Sequence, residues 1–294
     1  MMASTIIQLS QEIIDAIVDF VTHNSARNRN GLGPLGRDIL NCSLVSRSFY
    51  HRSQFYIFEV VHVREESSDK LRTRRLLAIR KIMRNNPRIS CFVQEIVLEC
   101  SFFQRAWWVA DDSLFLEFVQ SIAGNGRPLR KLQLFGNYKS DEGYGVVHIP
   151  NFERLLVHFF RPFIIPSITT LVLEYLDNIQ VEVITECVNL VNLELSQVGL
   201  VKPEGNATMI STRKPPTLRR LATRFAEPRS STKPVDWLHR YIDFSQLEMY
   251  KVCIDDLADI QYAQQIINAA KGSLRELVLF YRKAVCKFSP WIFF

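Results

Sequence analysis

The feature that most narrows the folds open to this chain is a short apolar phrase that returns through its C-terminal two thirds. Leu129-x-x-Leu132-x-Leu134 carries it, and Ile168-x-x-Leu171-x-Leu173, Leu190-x-x-Leu193-x-Leu195 and Leu274-x-x-Leu277-x-Leu279 repeat it. Val93-x-x-Ile96-x-Leu98 and Phe244-x-x-Leu247-x-Met249 keep the frame with apolar substitutes, and Leu218-x-x-Leu221-x-Thr223 is a weaker copy. The second and third apolar positions are two residues apart, which is the period of a strand buried on one face. A single such phrase means little, but roughly seven in series define a repeated unit.

Helix-like segments fill most of the gaps: Ser113 to Ile122 behind Asp111-Asp112, Phe152 to Phe160, Val181 to Cys187, Val235 to Ile242 and Leu257 to Ala270. A strand followed by a helix, repeated, cannot hide its apolar face alone and stacks on its neighbours as a curved parallel-sheet solenoid. Leu129 to Asn137 matches the leucine-rich-repeat strand pattern L-x-x-L-x-L-x-x-N in full. The steps from 93 to 129 and from 129 to 168 exceed the about 20–29 residues usual for this repeat. The early repeats therefore carry insertions. Tyr138 to Pro150, rich in glycine and polar residues, reads as one, and Val201 to Pro216 and Glu227 to Pro234 read as loops.

The N-terminal stretch Leu9 to Arg52 poses a different constraint. Ser10 reads as an N-cap, with Glu12 and Asp15 where a helix dipole favours anions. At 100° per residue, Glu12, Asp15 and Asp19 crowd into one narrow arc, while Ile13, Ile14, Ala16, Ile17, Val18, Phe20 and Val21 sweep roughly 200° of the circumference. A second run, Asp38 to Tyr50, again carries apolar residues on more than one face. Two or three short helices are too few to bury them all, so the unit calls for a partner.

Leu9-Ser10-x-Glu12-Ile13-Ile14-x-x-Ile17-Val18, followed by Leu40-x-Cys42-Ser43-Leu44-Val45-Ser46-Arg47-Ser48-Phe49, resembles the F-box of the kind abundant in mushroom-forming fungi. The resemblance implies a three-helix motif that binds a small Skp-type adaptor, which links it to a cullin-RING ubiquitin ligase. It implies a receptor for a protein substrate, cytoplasmic or nuclear, with no catalysis and no cofactor of its own. Carried over by position, Leu9, Ile13, Ile17, Leu44, Val45 and Phe49 contribute to the adaptor-facing or packing surface. Ser10 stands where that family usually has proline, Phe49 where it often has tryptophan, and the loop His23 to Gly36 is longer than usual. The junction Arg75-Leu76-Leu77 through Asn86-Pro87-x-Ile89-x-x-Phe92 to Leu98 is also similar to the helix-to-first-repeat junction of those proteins. The implied architecture is mainly α/β: residues 1–56 an F-box-like domain, 57–92 a connecting segment with a basic helix at Lys70 to Arg84, and 93–294 an irregular leucine-rich-repeat solenoid. An interaction scaffold without ligase assembly is the alternative.

Composition fits a soluble domain pair. With 47% hydrophobic and 22% charged residues among 294 the chain is ordinary, and a net charge of +6 is a spread of surface cations rather than a nucleic-acid footprint. No apolar run is long enough to cross a bilayer, and the N-terminus lacks the basic and apolar regions of a signal peptide. The six cysteines show no metal spacing and read as reduced thiols.

Signals that mimic chemistry have plainer readings. Gly31-x-Gly33-x-x-Gly36 lacks a preceding strand, and Pro34 removes an amide donor, so it reads as a loop. His158, between Val157 and Phe159, reads as a packed helix residue, and Asp255, Asp256 and Asp259 as acids opening a helix. Asn206-Ala207-Thr208 is a glycosylation acceptor only in a secreted protein.

In a solenoid, residues alternating with the buried leucines line the open face. They include Gln133, Phe135, Glu174, Glu194, Arg224, Glu248, Tyr250 and Phe280, a mix of aromatics and charges suited to protein binding. Phe135 and Phe280 have a second reading, as side chains covered by neighbouring loops. The apolar end, Phe288 to Phe294, lacks the polar cap a solenoid needs. It is either a lid that folds back or the sign of a truncated or mis-spliced sequence.

Overall fold

Branched aliphatic residues at alternate positions make each recurring phrase a strand in the computed structural model, which describes residues 9–27, 37–64, 69–100, 108–124, 128–136, 138–140, 143–201, 215–224, 238, 241–255 and 257–281. Three helices come first: α1 (Gln11–Arg27), α2 (Arg37–Val45) and α3 (Arg47–Glu59). A nine-stranded parallel sheet follows. Its strands are β1 (Val60–Arg64), β2 (Glu95–Cys100), β3 (Lys131–Gly136), β6 (Val147–His148), β7 (Thr170–Gln180), β8 (Asn192–Val201), β9 (Arg220–Arg224), β10 (Met249–Ile254) and β11 (Glu276–Tyr281). Apart from β6, which adds to the end of β7, each strand pairs with the next sheet strand in the chain. The order never reverses. A separate antiparallel ribbon joins β4 (Tyr138–Ser140) to β5 (Gly143–Gly145). The stretch Tyr138 to Pro150, read from sequence as an insertion, holds β4, β5 and β6.

Register aligns the apolar phrases into rows. Ile96, Leu132, Leu171, Leu193, Leu221, Tyr250 and Leu277 form one, and Leu98, Leu134, Leu173, Leu195, Thr223, Val252 and Leu279 the next. This corrects the frame of the sixth phrase. It is Leu247-x-x-Tyr250-x-Val252, all three fully buried, and not Phe244-x-x-Leu247-x-Met249. A search for aliphatic residues passes over Tyr250 because a buried phenol needs a polar partner. Thr223, the polar residue of the weak fifth copy, supplies it, with the two hydroxyls 3.2 Å apart. Each departure from the pattern accounts for the other. Burial pushes the Tyr250 hydroxyl up to about 12, with the Thr223 bond working against it.

The segment 57–92 also holds more than a connection. Val61 and Val63 of β1 pair with Ile96 and Leu98, and Phe58 packs on the core, so Phe58-x-x-Val61-x-Val63 is an earlier copy of the phrase. The basic stretch beyond it is α4 (Asp69–Asn85), whose Leu76 and Met83 are buried. The buried Arg72 lies over the Trp108 ring at 4.7 Å and donates from Nε to Asp112 Oδ2 at 3.4 Å. Asp112 also accepts from the amides of Leu114 and Phe115, capping α6 (Ser113–Ala123).

The two long steps hold aromatic packing. Between β2 and β3 lie α5 (Trp108–Asp111) and α6; between β3 and β7 lies α7 (Phe152–Leu155), which runs into a wider turn at Leu156–Ile164. Pro162 within that turn has no amide to donate, and Ile165 bonds back five residues to the Phe160 carbonyl at 2.8 Å. Trp108, Phe115, Phe159, Phe160 and Phe152 meet edge-on or tilted at centroid distances of 5.1 to 5.6 Å. Shorter crossovers use α8 (Glu182–Thr185) and α9 (Leu257–Ala269). Asp259 of α9 is buried and accepts from the Asp255 amide at 2.8 Å, closing the turn ahead of the helix.

Close approach between strands fixes one glycine. A Cβ at Gly136 would overlap the backbone carbonyl of Tyr175, which itself sits at φ 56. At Gly199 the overlap is with the Asp177 carboxylate, a side chain that can swing away. Gly136→Ala is expected to cost roughly 1–3 kcal/mol, as overpacking against a fixed neighbour does, and Gly199→Ala clearly less. Chemical denaturation of the two variants measures the difference.

Candidate binding surfaces

The N-terminal helices are held together on one side and left open on the other. Asp19 of α1 accepts from Arg52 of α3 through Nε at 2.8 Å and Nη2 at 2.9 Å, and from the Tyr56 hydroxyl at 2.8 Å. The bidentate geometry fixes the angle between the helices as well as the contact. Ile14, Val18 and Ile39 are buried inside. At the start of α1, Ser10 and a backbone amide hold the Glu12 carboxyl below its usual range. Ser46 caps α3 by accepting from the Phe49 amide. The helix α1 continues through Arg27, into the stretch read as loop.

The residues expected to face an adaptor divide in two. Leu9 (42% exposed), Ile13 (49%), Ile17 (38%), Leu44 (83%) and Val45 (67%) lie open, whereas Phe49 is half-buried among the helices. Phe20, Leu40 and Tyr50 are also exposed. Spacings of four and three place Ile13, Ile17 and Phe20 along one side of α1, and Leu9 lies just ahead of the helix. The sequence marked the excess of apolar surface; the Asp19 clamp decides which side of α1 turns outward.

The second surface is the sheet face opposite the helices. Three rows run across it in register. The first is Glu95, Lys131, Thr170, Asn192, Arg220, Met249, Glu276; the second Val97, Gln133, Val172, Glu194, Ala222, Lys251, Val278; the third Glu99, Phe135, Glu174, Ser196, Arg224, Cys253, Phe280. Of the eight residues expected here, Gln133, Phe135, Glu174, Glu194, Arg224 and Phe280 occupy these rows. Tyr250 does not. It is fully buried on the helix side, and Glu248 lies just before β10, 3.9 Å from Arg219. Both follow from the misplaced frame, and Lys251 takes the position given to Glu248. Lys131, Thr170, Asn192 and Arg220 were missed because they precede the second apolar position. The alternation that marks the later rows reaches them too.

These side chains form a trough of about 610 Å³ across β3, β7, β8, β9 and β10. Val172, Ala222 and edges of Leu193 and Leu221 contribute apolar surface to it. Phe135 is half-buried, its ring edge-on to Tyr175 at 5.6 Å, while Phe280 stands exposed on β11. Glu95 and Lys131 are paired at 2.8 Å. Burial and, next, the Glu194 charge raise the Glu174 carboxyl above its ordinary value, and Lys131 opposes them.

Among the described residues, histidines do not converge with these groups. His148 and Asp177 lie 3.2 Å apart at about half exposure, a pairing worth little in water. His158 is exposed, contrary to the expectation of a packed residue, because the wide turn buries Phe159 and Phe160 and leaves Val157 and His158 outside. Cys100 and Cys187 are buried and Cys42, Cys91 and Cys253 half-buried, and none of these five is in a disulfide. The Gly31 to Gly36 motif, Asn137, Asn206, the segments 202–214 and 225–237 and the tail beyond 281 lie outside the described residues, as does most of Val235 to Ile242. Among the described residues no helix is long and apolar enough to cross a membrane.

Because its folded-state carboxyl is raised, Glu174 is neutral at no cost at low pH, and its ionisation destabilises the fold once the pH rises through the folded value. Glu174→Gln is therefore expected to raise Tm at pH 7. That gain should fade as the pH falls through the carboxylate range, in melts recorded at several pH values.

Neither a scan against protein-family models nor a search of curated proteins finds a match for this chain, so both surfaces are read from their own residues.

Proposed function

We propose that this chain is the substrate-recognition subunit of a Skp-cullin-F-box type ubiquitin ligase, acting in the cytoplasm or nucleus without catalysis of its own. The observation that carries the reading is the set of exposed apolar residues Leu9, Ile13, Ile17, Leu44 and Val45 on or beside helices that are otherwise clamped and packed. Helices tied down by a bidentate ion pair have no internal means of covering those residues, and a small adaptor with an apolar groove does. The sheet supports the second half of the reading. Strands in unreversed sequential order, with buried leucine rows on one side and a polar trough on the other, are what stacked leucine-rich repeats form. On this reading the helices tether and the trough holds a protein substrate.

Ser10, in place of the family's usual proline, favours a second reading, an interaction scaffold without ligase assembly. A purified complex holding this chain, a Skp-type adaptor and a cullin excludes it.

Ile13→Asp and Val45→Asp place charges on exposed positions, so the helices should keep their circular dichroism. Each is expected to weaken co-precipitation with a Skp-type adaptor by at least about tenfold, the cost of burying an unpaired carboxylate at an interface. Undiminished binding by both variants would sink the proposed docking surface.

A further inference from the structure

The trough's charges are sorted, not mixed. Glu174 on β7 and Glu194 on β8 lie on one side, and Arg220 on β9 and Lys251 on β10 on the other, with Ala222 between Glu194 and Lys251 in the middle row. Glu194 and Lys251 are two strands apart, about 10 Å between backbones at the usual strand spacing. No ion pair joins any of these four among the described residues, although Lys131 and Arg219 beside them are bonded to Glu95 and Glu248. The face thus holds an acidic side, which Lys131 offsets only in part because it is itself paired with Glu95, and a basic side, over an apolar floor of Val172 and Ala222.

Resting on the reading of this face as the substrate surface, we propose that the trough recognises an extended protein segment that crosses the strands. The segment carries a lysine or arginine over Glu174 and Glu194 and an aspartate or glutamate over Arg220 and Lys251. Glu194 to Lys251 is about 10 Å, and Glu174 to Lys251, three strands and one row apart, about 16 Å; at about 3.3 Å per extended residue the two charges fall three to five positions apart. A small apolar side chain between them meets Val172 and Ala222. A purely basic or purely acidic ligand satisfies half of the trough and meets like charge in the other, which disfavours a polyanion such as nucleic acid. A lysine over the acidic half also relieves the repulsion between Glu174 and Glu194, which burial at Glu174 makes costly.

The test is selection of a displayed random dodecapeptide library on the full chain, with adaptor binding measured in parallel. The expected result is enrichment of sequences with one basic and one acidic residue three to five positions apart. Against Lys251→Glu, the best selected peptide should bind about tenfold more weakly, and replacing its acidic residue by lysine should restore binding. Enrichment without that spacing, enrichment of a single sign of charge, indifference to Lys251→Glu, or no enrichment at all overturns the inference. Adaptor binding retained alongside any of these results leaves the ligase reading standing. Charge-spaced peptides selected by a chain that fails to bind an adaptor would instead overturn the ligase reading and keep this one.

Discussion

One-sided burial in a register that never slips between neighbouring phrases is the constraint on which the structure rests. Each strand hands its two apolar residues to rows shared with both neighbours, and helices cover only that side. A slip of one residue would turn the leucines outward and the charges inward. The same alternation therefore builds the core and the trough, and neither can be altered in frame without the other. Where the pattern fails chemically, at Thr223, the neighbouring row supplies Tyr250 and the hydroxyls satisfy each other. Burial of a polar pair is tolerated because it is complete.

The N-terminal helices follow the opposite logic. Around a small apolar interior of Ile14, Val18 and Ile39, polar contacts tie them together, Arg52 and Tyr56 on Asp19 foremost, with Arg52 also lying over the Phe55 and Tyr56 rings. Such contacts orient helices at modest energetic gain. Apolar surface that an ordinary core would absorb remains outside, and it is concentrated on α1 and the end of α2.

Much of this was legible in the sequence because period carries it. The strands, most of the crossover helices and the excess of apolar residues in the first helices all follow from spacing. Two things were not. Phe58-x-x-Val61-x-Val63 escaped notice because β1 starts where α3 ends, with no turn residue to mark the change of period. The sixth phrase was misread because an aromatic with a buried hydroxyl looks polar until its partner is known, and that partner is 27 positions away. The error moved two candidate residues off the face and hid Lys251. The trough's charge sorting was beyond sequence reading for a related reason: which residues oppose one another depends on register between strands as much as on alternation within them.

The absence of a turn between α3 and β1 has a mechanical meaning. Glu59 ends the helix, Val60 opens the strand, and the Gln94 amide bonds the Glu59 carbonyl at 2.9 Å while Phe55 meets Phe92 edge-on. The junction has no hinge. On the proposed reading, a protein held in the trough would be carried at a set distance and bearing from whatever grips the first helices, as a load on a bracket. Which of its surface lysines could come within reach of a second, stationary catalyst would then be decided by geometry, before any chemistry begins.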